Sequence, residues 1–412
     1  MQNRTQWFLF FLAFALMGAA LAMHESVFNN FLDDVYHLGA DARGRIEFPR
    51  ELPGFLVVVM SALLCSLAVT RIAVVAALGF ALGMAGMAWG GMANYNLMVV
   101  MMLVASAGMH LLQPVGASIV IALTDPSKRG RVMGVMDALG TLGTVAGAMM
   151  VMLFFSRTPI QAGPLPDPSA VQHPLYALWF LASGIVAVGA AVCYSRLHVP
   201  TLHSPRARFV FRKRYSLYYV LELLFGARKQ VFITFGPWVL VKVYQAVPAD
   251  IARLIMTAAI IGLAFKPLTG LAIDRWGERT VLIADGFLLS VVCLGYGYAL
   301  WIAGDIDNAR RLASACFVAD SLLFALGSGR AIYLSRLTDS PHEVNSTLSM
   351  GISINHIVSM AIPTFAGAMW MAWGYERVFA TAAGLALLNA VAASFVPSKK
   401  AHVTADPQPA TT

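Results

Sequence analysis

The sequence predicts an all-α integral membrane protein, and three observations support that fold class. The chain has 412 residues, of which 58% are hydrophobic and only 12% are charged, whereas soluble domains carry about 25% charged residues. Its mean hydropathy is +0.70. Twelve apolar runs are each long enough for a spanning helix, which needs about 20 residues. Almost no sequence remains for a soluble domain.

The twelve predicted spans divide into two sets of six. They lie at roughly 7–31, 46–67, 72–92, 97–122, 132–155, 174–194, 216–241, 250–271, 280–302, 311–335, 345–370 and 376–396. A basic, proline-bearing stretch separates the sixth span from the seventh. We therefore predict an N-terminal six-helix bundle over 1–195, a cytoplasmic linker over 196–215 and a C-terminal six-helix bundle over 216–397. The last segment, 398–412, is rich in Ala, Pro and Thr and is predicted to be a disordered cytoplasmic tail.

A short internal repeat supports two related halves. The triplet Leu-Thr-Asp occurs at Leu123–Asp125, after the fourth span, and again at Leu337–Asp339, after the tenth. A three-residue match is weak by itself, but here it falls at equivalent places in the two halves. Parallel repeats with the substrate site between them are a known transporter architecture.

The net charge of +8 is best interpreted as membrane topology, because cytoplasmic loops carry excess Lys and Arg. With the N-terminus inside, roughly twice as many of the 29 Lys and Arg residues lie in inner loops as in outer loops. This distribution predicts a multi-pass protein of the inner (cytoplasmic) membrane with both termini in the cytoplasm. The expected surroundings are a lipid bilayer, and no nucleic-acid partner is expected.

The loop after the eighth span carries the most specific motif. "GLAIDRWGERTVL" has glycine, acidic and basic residues spaced as Gly-x-x-x-Asp-Arg-x-Gly-x-Arg, matched here by Gly270, Asp274, Arg275, Gly277 and Arg279. This loop resembles the signature of the major facilitator superfamily (MFS). The resemblance implies two pseudo-symmetric six-helix bundles, alternating access, a small-molecule substrate, no cofactor and a monomer. It also implies that the motif is a cytoplasmic gating latch.

The corresponding loop of the first half departs from this pattern. After alignment of Arg71 with Arg279, the aspartate position is Ser66, the next arginine is Leu67 and the glycine is Val69. The first-half latch is therefore degenerate, and a gating scheme with two equivalent latches is not expected. "MHLLQPVGA" in span four is similar to a family pattern of arginine, glutamine and glycines, with His110 and Gln113 at the first two positions.

Ionisable residues inside the spans give the candidate binding site. A charge at the bilayer centre costs about 2.5–3.5 kcal/mol even on the mildest scale, so such groups must meet water, a partner or the substrate. The predicted substrate-binding residues are Arg228, Lys229, Gln230, His110, Gln113 and Asp320. Since adjacent helical residues point about 100° apart, one of Arg228 and Lys229 should face the substrate and the other should pair with a carboxylate.

Two interpretations of Arg228 remain open at this point. Its planar guanidinium suits a bidentate contact to a carboxylate or phosphate of the substrate. Alternatively, it belongs to a buried charge network with Asp320 or Glu222 that only orients helices. The predicted proton-coupling residues are Glu25, His24, Asp320 and Glu222, because burial raises a carboxyl pKa towards neutrality and histidine titrates near it.

The outer loop region and one carboxyl residue allow further expectations. Glu47, Arg50 and Glu51 are spaced for ion pairs three or four residues apart on a helix, or for an outer gate. Asp285 lies near the inner end of span nine, where it could pair with the latch arginines. It is the one ionisable span residue outside the spans that the family resemblance places near the substrate.

The favoured function is a secondary active transporter of a small organic solute, anionic or zwitterionic, with proton coupling. A proton-coupled drug antiporter is the alternative, and a transport-dead sensor or intramembrane enzyme is a remote one. No phosphate-binding Gly-x-x-x-x-Gly-Lys-Ser/Thr run occurs, and the histidines lack metal-ligand spacing such as His-Glu-x-x-His. Neither an enzyme activity, a metal nor a cofactor is therefore expected.

Overall fold

The structure is a computed structural model that describes residues 2–64, 66–157, 168–199, 211–338 and 341–398. Within these residues the fold is helical and contains no β-strand. The α-helices are α1 Gln2–Asp34, α2 Ala40–Phe55, α3 Val57–Leu63, α4 Val69–Trp89, α5 Tyr95–Leu123, α6 Arg129–Arg157, α7 Pro168–Ser195, α8 Ser216–Lys242, α9 Pro248–Trp276, α10 Glu278–Gly297, α11 Ala299–Ala303, α12 Ile306–Leu323, α13 Ser328–Leu337, α14 Pro341–Trp373 and α15 Tyr375–Ser394.

These helices confirm the predicted fold class. Among the described residues, ten helical segments are long and apolar enough to cross a membrane. Helix α8 has 27 residues but fails that test, since Arg228, Lys229 and Gln230 interrupt its apolar run. The predicted second span consists of α2 and α3 in succession, and the tenth consists of α12 and α13. With α8 and the α2–α3 pair, the helices correspond one by one to the twelve predicted spans.

The chain divides into two compact units. The first contains Met1–Arg206 together with Pro237–Leu263, and the second contains Ala207–Gly236 together with Ala264–Thr412. Helices α8 and α9 are therefore each shared, with the end of α8 and the start of α9 grouped in the first unit. The predicted linker at 196–215 falls outside the described residues for 200–210, and the predicted tail does so for 399–412.

Small residues set the close packing of the first unit. Helix α1 packs against α6 and α7, and α4 packs against α5 and α7. At Gly143 of α6, an added Cβ would lie 1.9 Å from the carbonyl oxygen of Ala15, and at Gly147 it would lie 2.3 Å from that of Ala19. Only glycine permits such backbone proximity, which is typical of helix pairs in membranes.

The second unit uses the same device between α10 and α15. A Cβ at Gly286 would lie 2.6 Å from the carbonyl oxygen of Ala386. The close approach holds α10 against α15 and also fixes the rotation of α10. As a result the neighbouring residue, Asp285, lies in the interior of the unit with no exposed surface.

Candidate functional site

The "GARKQ" stretch lies in the middle of α8 and supplies the centre of a buried charge cluster in the second unit. Arg228 is 2% exposed and donates from Nη1 to the Asp320 carboxylate of α12. One and a half turns earlier on α8, Glu222 accepts from Nε of Arg330 of α13 at 2.8 Å. The side chain of Arg330 is 7% exposed and that of Glu222 is 12% exposed. Two nearly buried ion pairs therefore link α8 to α12 and α13.

One aromatic ring lies against both arginines. The guanidinium carbon of Arg330 is 3.5 Å from the centre of the Phe225 ring, and that of Arg228 is 5.9 Å from it. Cation–π attraction strengthens when the cation is desolvated. At 1.5 Å per residue, Glu222 lies about 9 Å and Arg228 about 18 Å from the start of α8. The two ion pairs thus occupy successive levels, and the second is near the middle of a core about 30 Å thick.

Lys229 occupies a different position from its neighbour. It is half-buried, and its ammonium group donates to the Asn355 amide oxygen of α14 at 2.8 Å. Gln230 is fully buried and donates to the Thr234 hydroxyl one turn later, at 3.3 Å. Of the two adjacent cations, Arg228 is 2% exposed and pairs with a carboxylate, and Lys229 is half-buried. The sequence leaves open which of the two faces the substrate.

Asp285 is the carboxyl residue that the sequence placed wrongly. It was expected to pair with Arg275 or Arg279, but neither of its carboxyl oxygens has a hydrogen-bond partner in the part of the chain that the structure describes. The residue lies seven positions after the start of α10, about 10 Å into the span, too deep for the loop arginines. The cations that act on it electrostatically are Arg228 and Arg330. We call Glu222, Arg228, Asp285, Asp320 and Arg330 the second network.

The first unit has a charge cluster of its own, which we call the first network: Glu25, Arg43, Glu47 and Arg50. Arg43 and Glu47, both fully buried, form an ion pair one turn apart on α2. Arg50 bridges Glu47 at 3.0 Å and Glu25 of α1 at 2.9 Å. Nε of Arg43 donates to the Asn29 amide oxygen at 3.0 Å. Every buried polar atom of these four residues has a partner.

The sequence found only part of this network. It predicted helical ion pairing for Glu47 and Arg50, and this pairing is present. Arg43 falls before the predicted second span, which starts at about residue 46, although α2 already begins at Ala40. A periodicity signal was available, since Arg43, Glu47 and Arg50 fall at the spacing of one helical face.

The predicted histidine and glutamine positions of the first unit have different surroundings. His24 is buried beside Glu25, with Nε2 at 3.9 Å from the carboxylate, and its Nδ1 has no partner. His110 of α5 is also buried, and its Nδ1 lies 3.1 Å from the Ser106 hydroxyl. Gln113, by contrast, is exposed.

The latch motif shows which of its residues the fold needs. Gly277 lies between α9 and α10 with φ 82°, a backbone conformation that favours glycine. Gly270 lies within α9, where an added Cβ would meet nothing within 4 Å. Asp274 and Arg275 are exposed and Arg279 is half-buried. The adjacent Glu278, which the family pattern does not include, is 1% exposed and accepts from Arg336 of α13 at 2.8 Å.

Polar contacts also tie the helix ends within each unit. In the first unit, Lys242 at the end of α8 forms an ion pair with Asp33 of α1, and the Asn30 amide donates to the carbonyl of Ala246 at 2.7 Å. In the second, the Tyr215 hydroxyl just before α8 donates to Glu343 of α14. Burial, with that hydrogen bond, raises the pKa of Tyr215 to about 12.

Comparisons with known proteins agree with this architecture. A point mutant of the nucleoside transporter NupG superposes with a TM-score of 0.72 at 14% identity, covering 95% of this chain and 99% of that one. A D-xylose-proton symporter gives 0.72 at 15% identity, over 96% and 98%. A bacterial homologue of the human lysosomal transporter Spinster, in an inward-facing conformation, gives 0.69 at 12% identity, over 99% of both chains. At these identities the likeness concerns the fold alone.

The family itself is shown by sequence. A search of curated proteins gave no match. The model of the Major Facilitator Superfamily, however, matches residues 52–337, more than half of the chain. The protein therefore belongs to the Major Facilitator Superfamily, as its latch motif indicated, and is a multi-pass membrane transporter rather than an enzyme.

Proposed function

We propose that the protein is a proton-coupled secondary active transporter that moves a small organic anion or zwitterion by alternating access. The observation that carries the solute class is Lys229. This half-buried lysine lies near the middle of the membrane, where a charge is tolerated only if it has a function or a partner. Arg228 and Arg330 pair with carboxylates, and Lys229 donates to the Asn355 amide. We place the negative group of the solute at Lys229 and Asn355.

The other predicted substrate-binding residues of the second unit position the part of α8 that carries Lys229. Arg228 and Asp320 hold α8 against α12, and Gln230 braces the same turn through Thr234. We therefore assign Lys229 and Asn355 the direct contact with the solute and Arg228, Asp320 and Gln230 the positioning of α8. His110 and Gln113 stay predictions for the first unit, and so do Glu25, His24, Asp320 and Glu222 for the proton.

The experiment uses purified protein in detergent and a thermal-shift panel of lactate, succinate, glutamate and phosphate. We expect at least one anion to stabilise the wild-type protein. Lys229→Gln should weaken that anion's affinity by about tenfold or more, since a charge-assisted hydrogen bond contributes about 1.5–3 kcal/mol. The matched control is Lys266→Gln, which removes an exposed lysine from α9. Unchanged affinity in Lys229→Gln would contradict the assignment.

Flux in reconstituted vesicles tests the energy source. Uptake of the stabilising anion should rise when the vesicle exterior is acidified. An uptake rate that does not depend on the pH gradient would contradict proton coupling. The same assay distinguishes the proposed anion transporter from the alternative function, a drug antiporter. A lipophilic drug cation is repelled by Lys229, so drug-stimulated proton release with no anion flux would favour efflux instead.

We further propose that the protein is a monomer in the inner (cytoplasmic) membrane with both termini in the cytoplasm, since the loop charges favour that orientation. The six-helix bundles at 1–195 and 216–397 are the proposed moving parts, and the motif from Gly270 to Arg279 is the proposed latch at the cytoplasmic end. Protease digestion of a C-terminal tag in inverted vesicles checks the orientation. Mass measurement in nanodiscs checks the monomer.

A further inference from the structure

A groove lies between α14 and α15, the last two helices of the second unit. Its volume is about 680 Å³, within the roughly 300–1,000 Å³ of sites that hold small organic molecules. The residues that line it are Met369, Trp373, Arg377, Ala380 and Thr381. Because α14 ends at Trp373 and α15 begins at Tyr375, this α14–α15 groove lies where two spans meet at a membrane boundary.

Arg377 is the one cation among the lining residues. It is exposed, and it forms no ion pair with any residue that the structure describes. The carboxylate of the adjacent Glu376 lies against Gly374 instead. Arg377 is also the third residue of α15, at the helix end where the dipole is positive and a cation is disfavoured. An anion from outside the chain would therefore stabilise this guanidinium.

The helix faces that continue the groove beyond Arg377 are apolar. On α14, Phe365 lies one turn before Met369 and is exposed, and on α15, Leu388 lies three turns beyond Arg377 on the same face and is exposed. No residue at 357–373 or 378–394 is ionisable. A single cation at the membrane boundary thus lies above roughly 16 Å of apolar helix surface.

Aromatic side chains indicate the level of Arg377 in the membrane. Trp373 is exposed at the end of α14, and the rings of Trp370 and Tyr375 lie 5.6 Å apart across the connection to α15. Trp and Tyr are enriched at the level of the lipid headgroups. The anions present at that level of a bilayer are headgroup phosphates, which can reach Arg377 while their acyl chains stay in the hydrocarbon.

We propose that the α14–α15 groove binds an anionic phospholipid, with its phosphate at Arg377 and one acyl chain along the apolar faces towards Phe365 and Leu388. The planar guanidinium suits a bidentate contact to a phosphate. A net negative lipid is favoured because the headgroup cation of a zwitterionic lipid already balances its own phosphate. The inference is independent of the proposed function, since it involves neither the solute nor a proton.

Photo-crosslinking locates the lipid. The full-length protein in dodecyl maltoside is mixed with phosphatidylglycerol or phosphatidylcholine, each with a diazirine in one acyl chain, and labelled peptides are identified by mass spectrometry. Labelling of α14 and α15 is expressed relative to that of α9, another exposed span. We expect phosphatidylglycerol to label α14 and α15 more strongly than phosphatidylcholine does. Equal labelling by the two lipids would overturn the proposal, because the groove would then take acyl chains without recognising charge.

Variants test the role of Arg377 in the same assay. In Arg377→Gln, the phosphatidylglycerol concentration for half-maximal labelling should rise by about tenfold or more, the loss expected when one charge-assisted hydrogen bond is removed. The matched control is Arg71→Gln, since Arg71 is also an exposed third residue of a spanning helix, α4. It should label α14 and α15 as the wild type does. No change in Arg377→Gln, or an equal loss in Arg71→Gln, would contradict the assignment.

Two further measurements test the acyl-chain part of the site. Ala380→Trp fills the groove and leaves Arg377 in place, so it should lose the preference for phosphatidylglycerol, whereas Ala380→Ser should keep it. The water-soluble headgroup sn-glycerol 1-phosphate, at equal concentration, should not displace the lipid. A preference retained in Ala380→Trp would contradict the path of the chain. Displacement by glycerol phosphate would mean that the site binds a dissolved phosphate ester, and the lipid assignment would be wrong.

Discussion

The two charge networks bury similar groups in different ways. In the first, Glu47 accepts from Arg43 and Arg50, Arg50 also holds Glu25, and no buried polar atom of these residues is left without a partner. In the second, two ion pairs are present, but Asp285 and one nitrogen each of Arg228 and Arg330 are unsatisfied. A fully satisfied network rigidifies a core, whereas a partly satisfied one is costly unless a second arrangement exists.

The two networks also differ in how far apart in the chain their paired residues lie. Three members of the first network come from one helix, so most of its geometry is local. The pairs of the second network join residues 92 and 108 positions apart, and they break if helices within the second unit move. We therefore expect the first network to act as a rigid element and the second to change during transport.

The largest expected effect is on the first network. Glu47→Gln leaves two buried guanidiniums, which cannot lose their charge, with a weak acceptor. Removing one member of a buried pair costs about 3–5 kcal/mol of unfolding free energy. The measurement is unfolding in mixed dodecyl maltoside and SDS micelles. Asp41→Asn is the control on the same helix: its pair with Arg45 is exposed, at 37% and 61%, and such pairs contribute at most about 1 kcal/mol. Equal losses would contradict the comparison.

A smaller effect is expected in the second network. Arg228→Met leaves Asp320 without its cation, but a carboxylate can take up a proton, so we expect a loss of about 1–3 kcal/mol. The folded variant must keep a proton that its unfolded chain releases, so its deficit relative to wild type should grow as pH rises. Unfolding measured on either side of neutrality checks the sign. The double variant Arg228→Met with Asp320→Leu should recover stability, and a double variant as unstable as the single one would oppose this account.

The start of α10 carries Asp285 into the second network, and Gly277 sets that start. An alanine there must adopt φ 82° with ψ 156°, which costs about 1–3 kcal/mol of strain. Gly277→Ala should lower the thermal midpoint in detergent. It should also disturb the anion affinity, since α10 begins differently. A variant as stable as the wild type would show that this backbone conformation is not required.

The smallest effect should have the opposite sign. Gly270 belongs to the same motif but lies inside α9, and its missing side chain faces open space. Gly270→Ala should therefore stabilise the protein by about 0.5–1 kcal/mol, the difference between glycine and alanine in a helix. The measurement is the thermal midpoint of Gly270→Ala, compared with that of Gly277→Ala. If Gly270→Ala instead reduces flux while the fold stays intact, another conformation of the transporter needs this glycine.

The sequence-based predictions were accurate for features that depend on residues close together in the chain. They were less accurate for contacts between residues far apart in the chain. The twelve spans were predictable because each depends on a continuous apolar run. The pairing of Glu47 with Arg50 was predictable because both lie on one turn of helix. For Arg228 the sequence left Asp320 and Glu222 as alternative partners, and the structure assigns Glu222 to Arg330, a residue with no local signal. Asp285 was misplaced because the sequence put it at the inner end of the span and did not give the direction of its side chain.

By itself the sequence determined the membrane fold, the family and the presence of charges inside the spans, since apolar length, loop motifs and composition are properties of local chain. Only the tertiary structure decided that Arg228 pairs with Asp320, that Lys229 donates to Asn355 and that Asp285 is buried without a hydrogen bond among the described residues. Those facts depend on how helices far apart in the chain rotate against each other. That rotation is set by close contacts such as Gly286 on Ala386, which no single stretch of sequence encodes.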